Sequence, residues 1–515
     1  MTSSSNTSRI AKNTLLLYFR MLLTMGVTLY TSRVILNALG VEDYGIYNVV
    51  GGVVAMFGIL SGSLSSAISR FITFELGKGD LDKLKRIFCT SVNIQVILIA
   101  IITILMETIG IWFLNNKMVI PEERLVAANW VFQFSVITFA LNLLSVPYNA
   151  VIIAHEKMSA FAYISIVDVT LKLIVAFIIA YNPFDRLVYY GLLIMIVGLI
   201  NRMMYAIYSK RHFEEATYRM IFDKELMKEM FGFAGWNFFG AGSALIMKQG
   251  VDILLNIFFG VQANAARGIA NQVDNAINLF VKNFTTALNP QIIKSYATSQ
   301  KDFLFSLMFR GAKFSYFLVM IFAIPIICET HFILTLWLKN FPEHTIQFVQ
   351  LSIIVIMIYV LTNTLITAML ATGNIKKYQL IVGGLGMLVL PIAWCFFYFD
   401  YPPEMSYVSN IIIFVAQLIA RLFLMREMIQ MSIKKYLSEV LLWTMLTTVI
   451  AFPIPYILSC VIEESFIRFI TVTGVSLGIS ALTIFFIGLK SEERMFVRNQ
   501  ADNFLKKVIP HKNGN

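Results

Sequence analysis

Hydrophobic residues run in long blocks along almost the whole chain, separated by short charged or Pro/Gly-containing turns. A helix rises about 1.5 Å per residue, so roughly 20 apolar residues cross the hydrocarbon layer of a bilayer. The pattern predicts about fourteen such helices, over residues 14–36, 46–74, 88–114, 126–153, 159–181, 188–208, 232–258, 266–292, 308–337, 347–370, 379–399, 406–425, 439–461 and 469–489. The expected fold class is an all-α polytopic membrane protein. In the eighth block the pattern changes. Arg267, Asn271, Asp274, Asn278, Lys282, Thr285 and Asn289 recur every third or fourth residue, and at about 100° per residue they fall within a sector of roughly 80°. A hydrophilic stripe inside a bilayer must meet protein or water, which makes it a functional candidate.

Composition agrees with the pattern. The chain is 58% hydrophobic and 14% charged, against roughly 25% charged in a soluble protein. The first apolar run is long and carries Arg20, so it reads as a retained helix and not as a cleaved signal. Orientation follows from Lys and Arg in the connections, because cationic loops resist translocation. With the N-terminus inside, the inner segments hold 25 of the 41 Lys and Arg, among them Lys210, Arg211, Arg219, Lys224 and Lys228. The outer connections hold five: Lys117, Arg124, Arg186, Lys339 and Arg468. The net charge of +11 therefore reports topology with cytoplasmic termini, and no nucleic-acid partner is expected.

A faint internal repeat accompanies the spans. Shifting by 220 residues lays Leu39-Gly40-Val41 on Phe259-Gly260-Val261. The same shift sets Gly51, Ala55, Gly58, Gly62, Ser65 and Ser69 of the second span over Asn271, Asn275, Asn278, Lys282, Thr285 and Asn289 of the eighth. It sets Thr24, Thr28 and Ser32 of the first over Ala244, Lys248 and Asp252 of the seventh. Two six-helix lobes of like orientation are expected around one cavity. They comprise residues 1–208 and 232–428, with a cytoplasmic linker at 209–231, and helices 13–14 with the tail at 429–515.

Eleven cations fall inside the spans. Arg70, Arg202, Arg310, Lys313 and Arg421 lie toward inner ends, and Arg33 and Arg267 toward outer ends, where long side chains can snorkel. Lys172, Lys248 and Lys282 lie near span centres, and Arg20 about a turn and a half in. At about 3 kcal/mol each facing lipid, these four must face protein or water. Asp168 and Lys172, and Lys248 and Asp252, are four apart and predict two intrahelical ion pairs. Set against Asp168, Asp252, Asp274, Glu107 and Glu329, the cations leave an excess of positive charge suited to an anionic substrate. Asp168, Asp252 and Asp274 are the candidates for coupling to a proton or sodium ion.

Several chemistries lack their parts. Cys89, Cys328, Cys395 and Cys460 show no paired spacing, and the five histidines form no metal-ligand pattern, so neither metal nor cofactor is expected. No phosphate-binding G-x-x-x-x-G-K-[ST] loop occurs. Asp80-Leu81-Asp82 has a metal-binding spacing but opens a cationic inner segment, where a helix cap is the simpler reading.

The segment Ser32-Arg33-Val34-Ile35-Leu36-Asn37-Ala38-Leu39-Gly40-Val41-Glu42-Asp43-Tyr44-Gly45-Ile46-Tyr47, the Ser-rich second span ending Ser69-Arg70-Phe71 and the plan of two six-helix halves plus two helices resemble the polysaccharide-transport branch of the multidrug/oligosaccharidyl-lipid/polysaccharide exporter superfamily. The chain looks most like a bacterial O-antigen or capsule repeat-unit flippase. That resemblance implies a non-enzymatic transporter of the bacterial inner membrane. It would move undecaprenyl-pyrophosphate-linked oligosaccharide from the inner to the outer leaflet by alternating access, alongside a glycan polymerase and glycosyltransferases. Arg20, Lys172, Lys248 and Lys282 would hold the pyrophosphate, and Asn271, Asn275, Asn278, Thr285 and Asn289 the sugar hydroxyls. The alternatives are a proton- or sodium-coupled multidrug exporter of the same fold, which calls for acidic and aromatic groups in place of cations, and a membrane glycosyltransferase or polymerase, which calls for a catalytic carboxylate set not evident here.

Overall fold

The computed structural model describes residues 3–55, 58–116, 118, 120–180, 185–495 and 498. Among the expected positions, the side chains of Arg9, Lys12, Ser32, Arg33, Ala55, Gly58, Lys117, Lys506, Lys507 and Lys512 lie outside the described residues. The architecture is all-helical, with no strand among the described residues. The first part contains α1 (Ser3–Ala55), α2 (Gly58–Lys78), α3 (Leu81–Leu105), α4 (Ile111–Asn116), α5 (Leu125–Ala154), α6 (Met158–Ala180) and α7 (Arg186–His212). A 74-residue α8 (Lys224–Ala297) and α9 (Lys301–Cys328) follow. Next come α10 (Thr330–Leu338), α11 (Thr345–Val360), α12 (Asn363–Thr372), α13 (Lys376–Met387), α14 (Val389–Tyr398) and α15 (Met405–Ile429). The chain ends in α16 (Ile433–Tyr436), α17 (Leu442–Ala451), α18 (Pro453–Val461) and α19 (Phe466–Thr483).

Eleven helical stretches are long and apolar enough to cross a membrane, and each overlies one expected span. The described residues of the expected spans 14–36, 46–74 and 266–292 are helical too, but these spans are not among the eleven. Parts of the first two fall outside the described side chains, and the third is made less apolar by its amides, Asp274 and Lys282.

Two features explain how short turns reverse such long helices. Gly40 (φ 80°) breaks α1 and Gly260 (φ 74°) breaks α8. An L-residue would be strained at such angles, whereas glycine, lacking Cβ, adopts them readily. The two glycines are 220 residues apart, at the offset seen in the sequence. The same offset relates Gly79 (φ 80°) to Ser299 (φ 58°), which end the second and eighth spans. Side-chain caps begin the next helices: Asp80 accepts from the Lys83 backbone N–H at 3.0 Å, as the cap reading expected, and Asp223 accepts from Leu226 N–H at 3.0 Å.

Packing divides the chain into two compact units. The first draws on Met1–Leu245, Asn283–Leu304 and Thr367–Gly384, and the second on Ile246–Lys282, Phe305–Ile366 and Leu385–Asn515. In the first unit α5 packs on α7 and α1 on α6. Phe132, Val131, Met106 and Val50 form one buried cluster; Ile35, Val175, Ile179 and Val197 form another. Gly191 and Gly198 face α5 so closely that a Cβ would sit 3.2 Å from Phe134 and 3.3 Å from Thr138. Small residues at such contacts let membrane helices gain dispersion energy where lipid supplies no hydrophobic driving force. In the second unit α11 packs on α15, and Lys313 is buried against Glu493 at 2.6 Å.

Candidate functional site

Within the first unit, polar side chains from α1, α6, α7 and the latter part of α8 converge. Arg20 is half-buried. Its guanidinium donates to Asn283 Oδ1 at 3.0 Å and to Ser165 Oγ at 3.4 Å, and its Cζ lies 4.6 Å from the centre of the Phe161 ring. Its Nε is buried with no hydrogen-bond acceptor. The charge is thus dispersed over amide, hydroxyl and aromatic ring rather than neutralised by a carboxylate. Two turns along α6 from Phe161, Asp168 accepts from Lys172 Nζ at 2.8 Å and from the Asn201 amide of α7. This is one of the two expected intrahelical pairs, and a third partner from another helix holds it. Near the end of α8, Asn289 Oδ1 accepts from Thr367 of α12 at 2.9 Å.

The second unit holds the other group. Arg267 is buried, donates from Nε to Asp252, and sits 5.2 Å from the Tyr407 ring centre. The expected Lys248–Asp252 pair is therefore replaced: Asp252 takes Arg267 across the Gly260 turn. The break at Gly260 is what allows two positions 15 residues apart to meet. Arg267 is anchored inward and does not snorkel. Lys248 instead lies with Arg267 within electrostatic reach of Asp274. Asn278 donates to the Asp274 backbone carbonyl at 3.0 Å. The Tyr407 hydroxyl and Arg267 Nη1 are buried without partners.

Along α8 the exposed line runs through Gln272, Asn275, Leu279 and Lys282, while Asn271, Asp274, Asn278, Thr285 and Asn289 are half-buried beside it. Asn275 and Lys282 are thus the most open of the expected site residues on this helix. Other cations are accounted for locally. Lys313 and Arg310 pair with Glu493 and Glu492, Arg202 lies 4.2 Å from the Tyr148 ring centre, and Glu329 pairs with Arg468.

Sequence reasoning passed over Asn283, Phe161, Tyr407 and two contacts at the cation-rich ends. Arg70, beside the rings of Phe71, Phe74 and Phe233, donates to the Ala371 carbonyl at 3.1 Å. Glu156 accepts from Gln291 at 2.7 Å and Lys294 at 2.9 Å. Gly373 (φ 79°) and Glu156 (φ 58°) occupy the turns after α12 and α5, so both turns receive a polar contact from the end of α2 or α8. Asn283 was missed because it points about 100° away from its neighbour Lys282, outside the stripe. Only its being an amide in an apolar run could have flagged it.

An all-helical, multi-pass chain with this path has the fold of the transporters of the multidrug/oligosaccharidyl-lipid/polysaccharide superfamily. The solved structures it resembles include a MATE protein in complex with MaL6 (13% identity, TM-score 0.68, covering 84% of this chain and 100% of that one). They also include an outward-facing multidrug resistance MATE family transporter (12%, TM-score 0.68, 83% and 99%) and a superfamily transporter from Pyrococcus furiosus (14%, TM-score 0.66, 82% and 97%). Residues 10–296 match the polysaccharide biosynthesis protein family, more than half of the chain, and the chain belongs to that family. No curated protein matches it.

Proposed function

We propose that the protein flips an undecaprenyl-pyrophosphate-linked oligosaccharide from the inner to the outer leaflet of a bacterial inner membrane by alternating access. The observation that carries this reading is Arg20, an intramembrane guanidinium held by Asn283, Ser165 and Phe161 with no carboxylate among these partners. A diphosphate offers charged oxygens that a guanidinium or ammonium group binds strongly, and glycan hydroxyls suit amides and hydroxyls. In the first unit Lys172 joins Arg20 as a cation proposed for the diphosphate, and in the second Lys248 and Lys282 are the cations proposed for it; Asn271, Asn275, Asn278, Thr285 and Asn289 are the groups proposed for sugar hydroxyls. Asp274, near Lys248 and Arg267, is the best placed of the three acids for ion coupling, because Asp168 and Asp252 are each already taken by a cation.

A proton- or sodium-coupled multidrug exporter is the second reading, favoured by the likeness to a multidrug resistance MATE family transporter. The P. furiosus transporter is described as having a binding pocket of reverse polarity, which suggests a different function for that protein. Pocket polarity can thus change on this fold, and polarity is what separates the two readings here. Lys248→Ala and Lys282→Ala should each lower surface glycan while protein in the membrane stays at the wild-type level. Normal glycan display in both variants would overturn the diphosphate assignment.

A further inference from the structure

We propose that the connecting segment 217–222 is an in-plane lipid anchor, its exposed apolar side chains seated in the headgroup–acyl boundary of the leaflet on the cation-rich side. The segment joins α7 to α8 and is strapped along α3 by two side chains. Cys89 Sγ accepts from the Arg219 backbone N–H at 3.3 Å and donates to the Thr217 carbonyl at 3.8 Å. The Asn93 amide donates to the Ile221 carbonyl at 2.7 Å and accepts from the Tyr218 hydroxyl at 2.7 Å. Just upstream, His155 Nε2 lies 2.5 Å from Glu215 Oε1, fixing the entry to the strap.

Depth follows from the register of α3. Its apolar block begins at residue 88, so Cys89 and Asn93 stand about 2 and 8 Å inside it at 1.5 Å per residue. The deeper tie, which holds Tyr218 and Ile221, falls where amphipathic surface segments bury their apolar faces, about 5–10 Å deep. The backbone turns at Met220, where the Ile221 N–H donates to the Arg219 carbonyl at 2.8 Å, and Tyr218, Met220 and Phe222 are the segment's large exposed apolar side chains. They are 40%, 86% and 61% exposed. Strongly exposed apolar side chains facing water would be an aggregation liability, whereas facing lipid they continue the apolar surface that α3 already presents at Val96, Ile101 and Ile104. Arg219, exposed between them, has a side chain long enough to reach outward to lipid phosphates.

The test uses the full chain with Cys328, Cys395 and Cys460 replaced by Ser and the buried Cys89 kept, in nanodiscs of phosphatidylethanolamine and phosphatidylglycerol. Nitroxides placed by Met220→Cys and Phe222→Cys should collide preferentially with oxygen. A nitroxide placed by Glu214→Cys, on an 80% exposed side chain, should collide preferentially with a water-soluble nickel chelate. In an Asn93→Ala background the oxygen preference at 220 should fall as the strap is released. Nickel access at 220 and 222 equal to that at 214 would overturn the anchor. An unchanged profile in the Asn93→Ala background would overturn the role of the strap. Shielding from both reagents in native membranes but not in nanodiscs would replace lipid by a protein partner and contradict the proposal.

Discussion

Arg20 and Arg267 keep a guanidinium inside a membrane protein by different means. Arg20 spreads its charge over an amide, a hydroxyl and a ring, and Arg267 meets Asp252 directly. Only the first leaves a cation without a carboxylate among its direct contacts, which is the property an anionic cargo requires. Charge is used differently outside the spans. Arg124 donates to Asp43 and, at 2.6 Å, to Asp185, while Asp185 also caps α7. Burial works to raise the Asp185 pKa, but the hydrogen bonds from Arg124 and from the Leu187 and Val188 N–H groups outweigh it and hold the carboxyl below its usual range. A carboxylate depressed on folding adds stability above its unfolded pKa and loses it as pH falls through the folded one. The wild-type melting temperature should therefore drop more steeply below about pH 4 than that of Asp185→Asn, measured on the same nanodisc preparation. Parallel curves would remove Asp185 from the acid response.

Among the elements, α8 is the decisive one. Its residues beyond Gly260 are too polar to count among the apolar spans, yet they form one continuous helix from there to Ala297. Cysteines placed at 275, 278 and 282 should react with a water-soluble thiol reagent, and cysteines at the buried positions 277 and 281 should not. Equal labelling of both sets would show that this face does not meet water. The helices themselves were legible in the sequence, because block length and the period of polar residues are local properties. The turn at Gly40 and Gly260 was legible as well, through the 220-residue offset. Partners across helices were not. Nothing local says that Asp252 prefers Arg267 to Lys248, that Tyr407 covers Arg267, or that Arg70 reaches Ala371. Gly373 bears on that contact: its φ of 79° favours glycine, and a Cβ there would lie 2.4 Å from Arg70 Nη2, so the guanidinium would have to shift.

For the whole molecule, repeated backbone features carry more weight than residue identity. The positive-φ pairs Gly40/Gly260 and Gly79/Ser299 keep one offset although the side chains around them differ. The second span is lined by small residues where the eighth carries amides and Lys282. The repeat thus keeps its turns while the polarity of the corresponding spans diverges. The fold alone does not choose the cargo, since multidrug transporters share it. The direct measurement is leaflet exchange in liposomes containing the purified protein and an undecaprenyl-pyrophosphate-linked oligosaccharide, read by the accessibility of the glycan to an external lectin. Exchange should depend on the protein and slow at least about tenfold in the Arg20→Gln, Lys282→Ala double variant, as the loss of roughly 1.4 kcal/mol of binding would give. No exchange of this lipid, with organic cations exported by the same vesicles, would contradict the flippase assignment.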